Sequence, residues 1–193
     1  RLVGSEMCIR DRYNSTVRRS GVMRMRCEKI RLVKPTRELK KKALEYRQEH
    51  FDFGESVING SSLFDQINLY DEWLGKVAAN ASVETVDPDW VLTDTFFALR
   101  VSDDKIVGIA DIRYQLNDFL KDFGNCGYSV RPSERRKGYA GEIVRQLCCI
   151  AREHGMERLQ LSVEKNNIAS IKAIEKNGGK YDRSFTFENE KAY

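Results

Sequence analysis

The segment from residue 130 to residue 155 limits the possible folds of this chain more than any other stretch. It begins VRPSERRKGYAG, and Pro132 cannot continue a strand into the loop that follows. Beyond Gly138, apolar residues recur at spacings of three and four as far as Gly155, which indicates an amphipathic helix. The apolar positions of this helix are Ala140, Ile143, Val144, Leu147, Cys148 and Ala151. The segment therefore predicts a strand, a short loop and a helix.

The start of this helix has the features of an anion site. The N–H groups of a first helical turn have no partner inside the helix, and the helix dipole adds partial positive charge there. Gly138 leaves room for a phosphate to approach the backbone, and Arg135, Arg136 and Lys137 add three positive charges. Such a site suits a pyrophosphate. The alternative is that these charges are solvated at an ordinary helix start. The glycine patterns of P-loop nucleotidases and of dinucleotide-binding folds are absent from the sequence.

The rest of the chain is patterned as helices and strands of one domain. Its 193 residues fit a single domain, and no apolar run reaches the ~20 residues of a membrane-spanning helix. The predicted elements are a strand near Ile30, helices over 37–50 and 66–79, strands over 95–101, 105–114 and 126–130, a helix over 138–154, a strand over 158–163, a helix over 168–177 and a strand over 180–187. Leu69, Trp73 and Val77 are expected in the core. This order predicts an α/β (α+β) fold with a mixed, mostly antiparallel sheet flanked by helices.

The N-terminal segment differs in composition from the rest. Residues 1–26 carry seven arginines against Glu6 and Asp11, whereas the remainder has one more acidic than basic residue. The net charge of +4 is therefore set by this segment, and the body gives no electrostatic case for nucleic acid. Residues 1–12 resemble a translated sequencing adapter. We therefore expect residues 1–22 to be a non-native or disordered leader, followed by one domain over 23–193.

Cysteine and histidine usage excludes two further classes of protein. The five cysteines include the adjacent Cys148 and Cys149, and the histidines are His50 and His154. An odd number of cysteines without zinc-ligand spacing predicts neither a disulfide framework nor a metal site. Thiols in a reducing compartment are the simplest interpretation, which predicts a cytoplasmic protein.

The segment RRKGYA, residues 135–140, fits the pattern [QR]-x-x-G-x-[GA] that follows a strand and opens a helix. On this segment and on the element order, the chain from about Ile30 onward resembles the GNAT-type N-acetyltransferase family. Within it, the chain resembles a bacterial subgroup of predicted acetyltransferases. The resemblance implies the GNAT fold and acetyl-CoA as co-substrate. Loop amides would hold the pyrophosphate, the strand backbone would pair with the pantetheine arm, and an N-x-x-[AS] pattern would contact the cofactor. The implied cofactor-binding residues are Ser129, Val130, Arg131, Arg135, Arg136, Lys137, Gly138, Tyr139, Ala140, Gly141, Asn167 and Ser170.

The chain departs from the family pattern at the residues that would move protons. Ile174 stands where many members carry a tyrosine that protonates the departing CoA thiolate, and Ser162 where some carry a glutamate base. The catalytic residues are therefore left unassigned. The groups considered as base are Glu164, Glu55, Asp111 and Tyr128, besides water alone. The family also continues with one more strand, so we expect the last strand to be missing and a sheet edge to be unpaired.

Together these features predict transfer of an acetyl group from acetyl-CoA to a primary amine by direct attack in a ternary complex. A backbone N–H near Ser129 and Val130 is expected to polarise the carbonyl. The strands over 126–130 and 158–163 are expected to run parallel and splay around the cofactor, with the acceptor side near 53–55 and 113–117. The acceptor is a small-molecule, peptide or protein amine. Nucleic-acid and membrane partners are not expected, and a homodimer is left open.

Two other functions remain open at this point. Ser162 and Ile174, which leave the chain without the family's proton-moving residues, keep a non-catalytic acyl-CoA-binding module as the alternative. A nucleic-acid binder that uses residues 135–137 and the leader is the third hypothesis. The near-neutral body argues against it.

Overall fold

Two sheets form the framework of the protein. The computed structural model describes residues 2–10 and 28–187. The strands are β1 (Leu2–Arg10), β2 (Ile30–Val33), β3 (Thr93–Arg100), β4 (Ile106–Arg113), β5 (Cys126–Val130), β6 (Arg158–Glu164) and β7 (Lys180–Phe187). The helices are α1 (Lys40–Asp52), α2 (Tyr70–Asn80), α3 (Tyr139–Glu153) and α4 (Ile168–Lys176), with short 3-10 turns at 37–39, 120–122 and 132–134. Within these ranges, every helix is too short or too polar to cross a membrane.

The first sheet has the order β2-β3-β4-β5 and is antiparallel throughout. α1 and α2 cover one face, where Phe64, Trp73 and Phe97 form an aromatic core. α3 covers the other face through Ile143 and Leu147, in a cluster that includes residues of β6 and α4. Because both faces are covered, β3 and β4 are buried along nearly their whole length. The predicted α/β fold with a mostly antiparallel sheet flanked by helices is confirmed.

The helix α2 begins later than its sequence predicts. Leu69, which the periodicity places in the core, precedes the helix and is 68% exposed. The segment before it is a turn, because the indole N–H of Trp73 donates to the carbonyl oxygens of Ser61 (2.9 Å) and Ser62 (3.1 Å). The prediction for Leu69 is wrong for this reason, whereas Trp73 and Val77 are buried as predicted.

The second sheet has the order β6-β1-β7, with the N-terminal strand at its centre. β1 pairs antiparallel with both neighbours, and Met7 lies opposite Leu161 of β6 and Tyr181 of β7. Over Leu2–Arg10 the structure therefore has a strand, within the segment expected to be a non-native or disordered leader. An extended segment between β6 and β7 satisfies backbone groups that their facing edges would otherwise leave unpaired. Residue 1 and residues 11–22 of the predicted leader lie outside the described residues. The non-native origin of the leader and the missing last strand stay predictions.

β5 and β6 belong to different sheets. In the described ranges they meet at an isolated bridge between Gly124 and Leu161, which is antiparallel. Beside it, the N–H of Asn125 donates to the carbonyl oxygen of Gln160 (2.7 Å). The two strands lie in separate sheets, as the predicted splaying requires, and the chain turns at Gly124 (φ 81°) just before β5. That they run parallel around a cofactor stays a prediction. Along its own length, β5 therefore has no strand on its outer edge among the residues described.

Candidate functional site

The outer edge of β5 offers backbone groups to a ligand. The N–H of Arg131, which follows β5 directly, donates to the carbonyl oxygen of Val107 in β4 (2.9 Å). Hydrogen-bonding direction alternates along an antiparallel strand. Tyr128 and Val130 consequently direct their N–H and C=O groups to the outer edge. An extended chain that contains amides could pair with this edge as an added strand does.

The loop that follows β5 holds a row of backbone donors. Arg136 and Gly138 have left-handed backbone conformations, with φ of 63° and 87°. Such turns direct successive N–H groups to one side and form an anion-binding nest. Among residues 28–187, no acceptor is hydrogen-bonded to the N–H groups of residues 136–141. A Cβ on Gly138 would meet nothing within 4 Å, so the space beside these donors is open.

The three cations of the loop are not equally available to an anion. The guanidinium of Arg135 contacts both carboxylate oxygens of Glu55, at 2.6 and 2.7 Å, and its Nε donates to the carbonyl oxygen of Val130 (3.2 Å). The hydrogen bond from Arg135 lowers the pKa of Glu55. Arg136 is exposed and forms no ion pair with any described residue. Arg136 is therefore the loop cation best placed to meet a phosphate.

The third loop cation, Lys137, is held by a buried carboxylate. Glu134 is 4% exposed and accepts from Lys137 (2.7 Å), Lys105 (2.8 Å) and Arg100 (2.9 Å). Burial alone would raise the pKa of Glu134, but hydrogen bonds from Lys105 and Lys137 lower it to about 2. Since Arg100 and Lys105 flank the β3–β4 turn, Glu134 ties the loop to that hairpin.

A second set of polar contacts ties the loop to α1. The Nδ1 of His50 lies 2.7 Å from Oε2 of Glu55, and the hydroxyl of Tyr46 donates to the carbonyl oxygen of Ser129 (3.2 Å). Burial lowers the pKa of His50, which is 1% exposed. A neutral His50 donates its Nδ1–H to the carboxylate, which leaves the lone pair on Nε2. That Nε2 has no hydrogen-bond partner among the described residues.

Arg131, predicted among the cofactor-binding residues, is turned into the protein. Its Nε donates to Oε2 of Glu49 (2.5 Å) and an Nη to the carbonyl oxygen of Ile106 (3.2 Å). The other oxygen of Glu49 accepts from the N–H of Ser133 (2.9 Å). Although burial opposes it, this N–H and the Arg131 guanidinium lower the pKa of Glu49. The Arg131 side chain thus anchors the loop on α1.

The remaining predicted cofactor residues lie at the starts of α3 and α4. Tyr139, Ala140 and Gly141 form the first turn of α3, directly after the left-handed Gly138. Asn167 caps α4, and its Oδ1 accepts from the N–H of Ser170 (3.1 Å). This cap explains the N-x-x-S spacing structurally, because an N-cap side chain reaches the third helical residue. Contacts between all twelve residues and a cofactor stay predictions.

Two of the three carboxylates considered as base are held by arginines. Glu55 is paired with Arg135, and Asp111 is buried with Oδ2 2.9 Å from Arg113. Glu164 is exposed at the end of β6. Burial raises the pKa of Tyr128 to about 12, so its hydroxyl stays protonated at neutral pH. Tyr128 is therefore unsuited to the role of base.

The segments expected on the acceptor side differ in their availability. Phe53 is exposed, whereas Glu55 in the same segment is held by Arg135. In the other segment, Arg113 donates to the carbonyl oxygen of Gly124 (3.2 Å), and Oδ1 of Asn117 accepts from a backbone N–H (2.9 Å). Their contact with an acceptor stays a prediction.

Sequence reasoning missed the residues that support the loop from behind. Glu134 lies inside the basic segment and His50 on a predicted helix, yet neither was singled out. His50 follows Tyr46 by four residues and Tyr46 follows Ala43 by three, so all three lie on one helix face. A polar residue on an apolar face was the available signal for His50.

Comparison with known proteins gives a family match and several structural relatives. A family model described as an acetyltransferase (GNAT) domain matches residues 67–180. No curated protein matches the sequence. Among solved structures, a GNAT-family acetyltransferase from Colwellia psychrerythraea has 16% identity and a TM-score of 0.55, with 95% of this chain and 55% of that chain covered.

Two further solved structures are similar. A proposed ribosomal-protein-serine acetyltransferase from Vibrio cholerae has 15% identity and a TM-score of 0.55, and covers 78% of this chain and 79% of its own. A GCN5-related N-acetyltransferase from Sphaerobacter thermophilus has 15% identity and a TM-score of 0.53, with 95% of this chain and 49% of that chain covered. The chain thus spans about half the length of two of these relatives. At such identities the likeness shows the fold.

Proposed function

The chain belongs to the GNAT acetyltransferase family, and we propose that it transfers an acetyl group from acetyl-CoA to a primary amine. The supporting observation is one continuous surface. The open outer edge of β5 runs into a loop whose N–H groups at 136–141 have no acceptor among the described residues. The amides of a pantetheine arm suit the edge, and a pyrophosphate suits the loop.

In this proposal the backbone of β5 also takes part in the chemistry. Of the two residues expected to polarise the carbonyl, Val130 directs its N–H to the open edge and Ser129 directs its own to β4. We therefore assign this role to Val130. The amine attacks directly when both substrates are bound, and positioning supplies much of the rate. An alkylammonium of pKa ~10.4 must first lose its proton, to water or to a carboxylate such as the exposed Glu164.

A thermal-shift titration with acetyl-CoA tests the cofactor site. Acetyl-CoA at 100 times its Kd should stabilise the protein by about 2.7 kcal/mol. Gly138→Glu should abolish the shift, because it places a carboxylate beside the loop donors. Gly178→Glu is the matched control, since Gly178 has the same φ of 87° and equally open surroundings, but lies after α4. Loss of the shift in both variants, or in neither, would contradict a pyrophosphate on the loop.

Binding without turnover is the second candidate function. It is favoured by the arginines that hold Glu55 and Asp111, two of the carboxylates considered as base. A panel of small amines, N-terminal peptides and lysine peptides, assayed for thiol release from acetyl-CoA, separates the two functions. Acetyl-CoA binding with no acetylated product would support the binding module. We further propose the cytoplasm as the compartment, because Cys126 and Cys149 are thiols rather than disulfide halves.

A further inference from the structure

Residues 55–60, here called the flanking segment, run beside β5. At one end, Glu55 contacts the loop that follows β5. At the other end, a Cβ on Gly60 would lie 2.3 Å from the carbonyl oxygen of Gly127, so the two backbones touch inside β5. Between these ends, Ile58 is buried in the core that α1 and α2 share with the first sheet. The flanking segment is therefore fixed to β5 at two points.

The flanking segment borders the open side of β5. Side chains alternate along a strand, so those of Tyr128 and Val130 lie on the face opposite to Gly127. There they pack with the cluster to which α3, β6 and α4 contribute, which fills that face. The flanking segment lies on the Gly127 face, where Val57 is exposed. An amine that approaches a thioester on the edge of β5 consequently passes the flanking segment.

One guanidinium joins the flanking segment to the last residue of β5. The Nη1 and Nη2 of Arg135 bind the two carboxylate oxygens of Glu55, at 2.6 and 2.7 Å, and its Nε donates to the carbonyl oxygen of Val130 (3.2 Å). Paired hydrogen bonds of this kind fix orientation as well as distance. The N–H of Val130 is the group assigned above to polarise the thioester carbonyl. Glu55 is thus connected to that residue through a single side chain.

The helix α1 supports the same contacts from behind. The Nδ1 of His50 lies 2.7 Å from Oε2 of Glu55. One turn earlier, the hydroxyl of Tyr46 donates to the carbonyl oxygen of Ser129 (3.2 Å). Both side chains of α1 are buried, and close packing leaves them little freedom to move. The carboxylate of Glu55 is therefore oriented by two neighbours, which suits it to hold Arg135 rather than to take a proton.

We propose that Glu55 is a positioning residue for the acetyl transfer proposed above, on which this inference rests. Through Arg135, its carboxylate keeps the flanking segment at the distance from β5 at which the acceptor amine meets the thioester. A displacement of about 1 Å can slow an oriented reaction about 100-fold, so loss of this contact should lower turnover of the amine. The affinity for acetyl-CoA should change little, because it depends on the backbone donors of residues 136–141.

A double-mutant cycle of Glu55→Gln, Arg135→Gln and the variant with both changes tests this role. With acetyl-CoA and the best amine of the panel described above, each single variant should lose about 100-fold in kcat/KM for the amine. The double variant should lose no more than either, because both changes break one contact. The Kd for acetyl-CoA, measured by calorimetry, should be nearly unchanged. Asp52→Asn is the matched control and should stay active, since Asp52 contacts only Gln48 of its own helix (2.9 Å) among the hydrogen bonds of the described residues.

Hydrogen exchange in the cofactor-free protein gives a readout that does not depend on turnover. In both single variants, amides of the flanking segment should exchange faster than in the unchanged chain, whereas those of α2 should not. Faster exchange in α2 as well would mean general destabilisation and would contradict the positioning role. Unaltered exchange of the flanking segment in Glu55→Gln would show that Arg135 does not hold it, and would overturn the proposal.

The pH profile separates positioning from general-base catalysis. The hydrogen bond from Arg135 lowers the pKa of Glu55, so this pKa should rise in Arg135→Gln. If Glu55 were the base, the acid limb of kcat/KM would move to higher pH in Arg135→Gln and disappear in Glu55→Gln. Positioning predicts an acid limb at the same pH in all variants. A shifted limb, or additive losses in the cycle, would overturn the proposal.

The unchanged chain distinguishes failure of this proposal from failure of the proposed function. A chain that binds acetyl-CoA but acetylates no amine would refute the proposed function, and the positioning role with it. An active chain whose kcat/KM is unaffected by Glu55→Gln would refute the positioning role alone.

Discussion

Arg135 and Glu55 form a two-pronged ion pair, with Nη1–Oε1 at 2.6 Å and Nη2–Oε2 at 2.7 Å, across 80 positions of sequence. Paired hydrogen bonds of this geometry fix orientation as well as distance. The pair fastens the loop after β5 to the segment after α1. The charge of Arg135 is therefore used inside the protein, and Arg136 is left as the exposed loop cation without an acidic partner in the described part of the chain.

The first prediction compares the two neighbouring loop cations. Arg136→Ala should raise the Kd for acetyl-CoA about tenfold, because it removes a cation that can donate charge-assisted hydrogen bonds to a phosphate. Lys137→Ala removes the same net charge but should have a smaller effect, since the Lys137 ammonium is held by Glu134 at 2.7 Å. Calorimetry at low and moderate salt measures both. If both variants weaken acetyl-CoA binding equally at low salt and neither does so at moderate salt, then only the overall positive charge of the loop would matter.

The second prediction concerns the buried carboxylate behind the loop. Glu134→Gln should lower the free energy of unfolding at pH 7 by about 3–5 kcal/mol, because three cations lose their common partner. The folded-state pKa of Glu134 is about 2, below its ordinary value of 4.5. This contribution is therefore present above pH 4.5 and is lost as the pH falls towards 2. Urea unfolding at pH 7 and pH 3 checks it.

The matched control for this experiment is Glu142→Gln, which removes a carboxylate from α3 outside the Glu134 cluster. The difference between the Glu134→Gln variant and the unchanged chain should shrink from pH 7 to pH 3. A difference that stays constant over that range would contradict the assigned charge state of Glu134.

Local signals account for the parts of the site that the sequence predicts well. Pro132 ends β5 and Gly138 precedes α3, so the strand, loop and helix follow from residues within a few positions of one another. The supporting contacts could not be read in this way. Tyr46 reaches Ser129 across 83 positions, and Arg131 reaches Glu49 across 82. A single sequence has no period or spacing that indicates such partners.

Tertiary contacts also explain where element predictions fail. The periodicity that includes Leu69 is helical, but Trp73 holds the preceding segment in a turn, so the helix begins at Tyr70. The strand Leu2–Arg10 was not predicted, because the resemblance of residues 1–12 to a translated adapter says nothing of the gap between β6 and β7 that this segment fills. In both cases the decisive partner is distant in sequence.

The third prediction concerns His50 and its acid sensitivity. Burial lowers the folded-state pKa of His50 below its ordinary value of 6.5. The unfolded chain therefore binds a proton more readily than the folded one, and stability should fall as the pH decreases below 6.5. His50→Gln should remove this decrease in stability over the pH range from 6.5 down to where carboxylates begin to titrate. Chemical unfolding at half-unit pH steps measures it, with His154→Gln, an exposed histidine, as control. An unchanged slope in His50→Gln would show that another group is responsible.

The fourth prediction uses two glycines with nearly the same backbone but different surroundings. Gly54 and Gly60 have φ of 77° and 73°, so alanine is strained at both, at a cost of about 1–2 kcal/mol. A Cβ on Gly54 meets nothing within 4 Å, whereas one on Gly60 would lie 2.3 Å from the carbonyl oxygen of Gly127. That oxygen belongs to the backbone of β5, which β4 holds in register, so it cannot move cheaply.

Gly60→Ala should therefore destabilise the protein by at least about 2 kcal/mol more than Gly54→Ala, because overpacking is added to backbone strain. Since the clash pushes on β5, Gly60→Ala should also weaken acetyl-CoA binding, while Gly54→Ala should leave it unchanged. Urea unfolding and calorimetry on the same preparations separate the two effects. Equal unfolding free energies would mean that the segment at Gly60 does not press on β5. A destabilised Gly60→Ala with unchanged acetyl-CoA affinity would mean that the position of β5 does not control the cofactor edge.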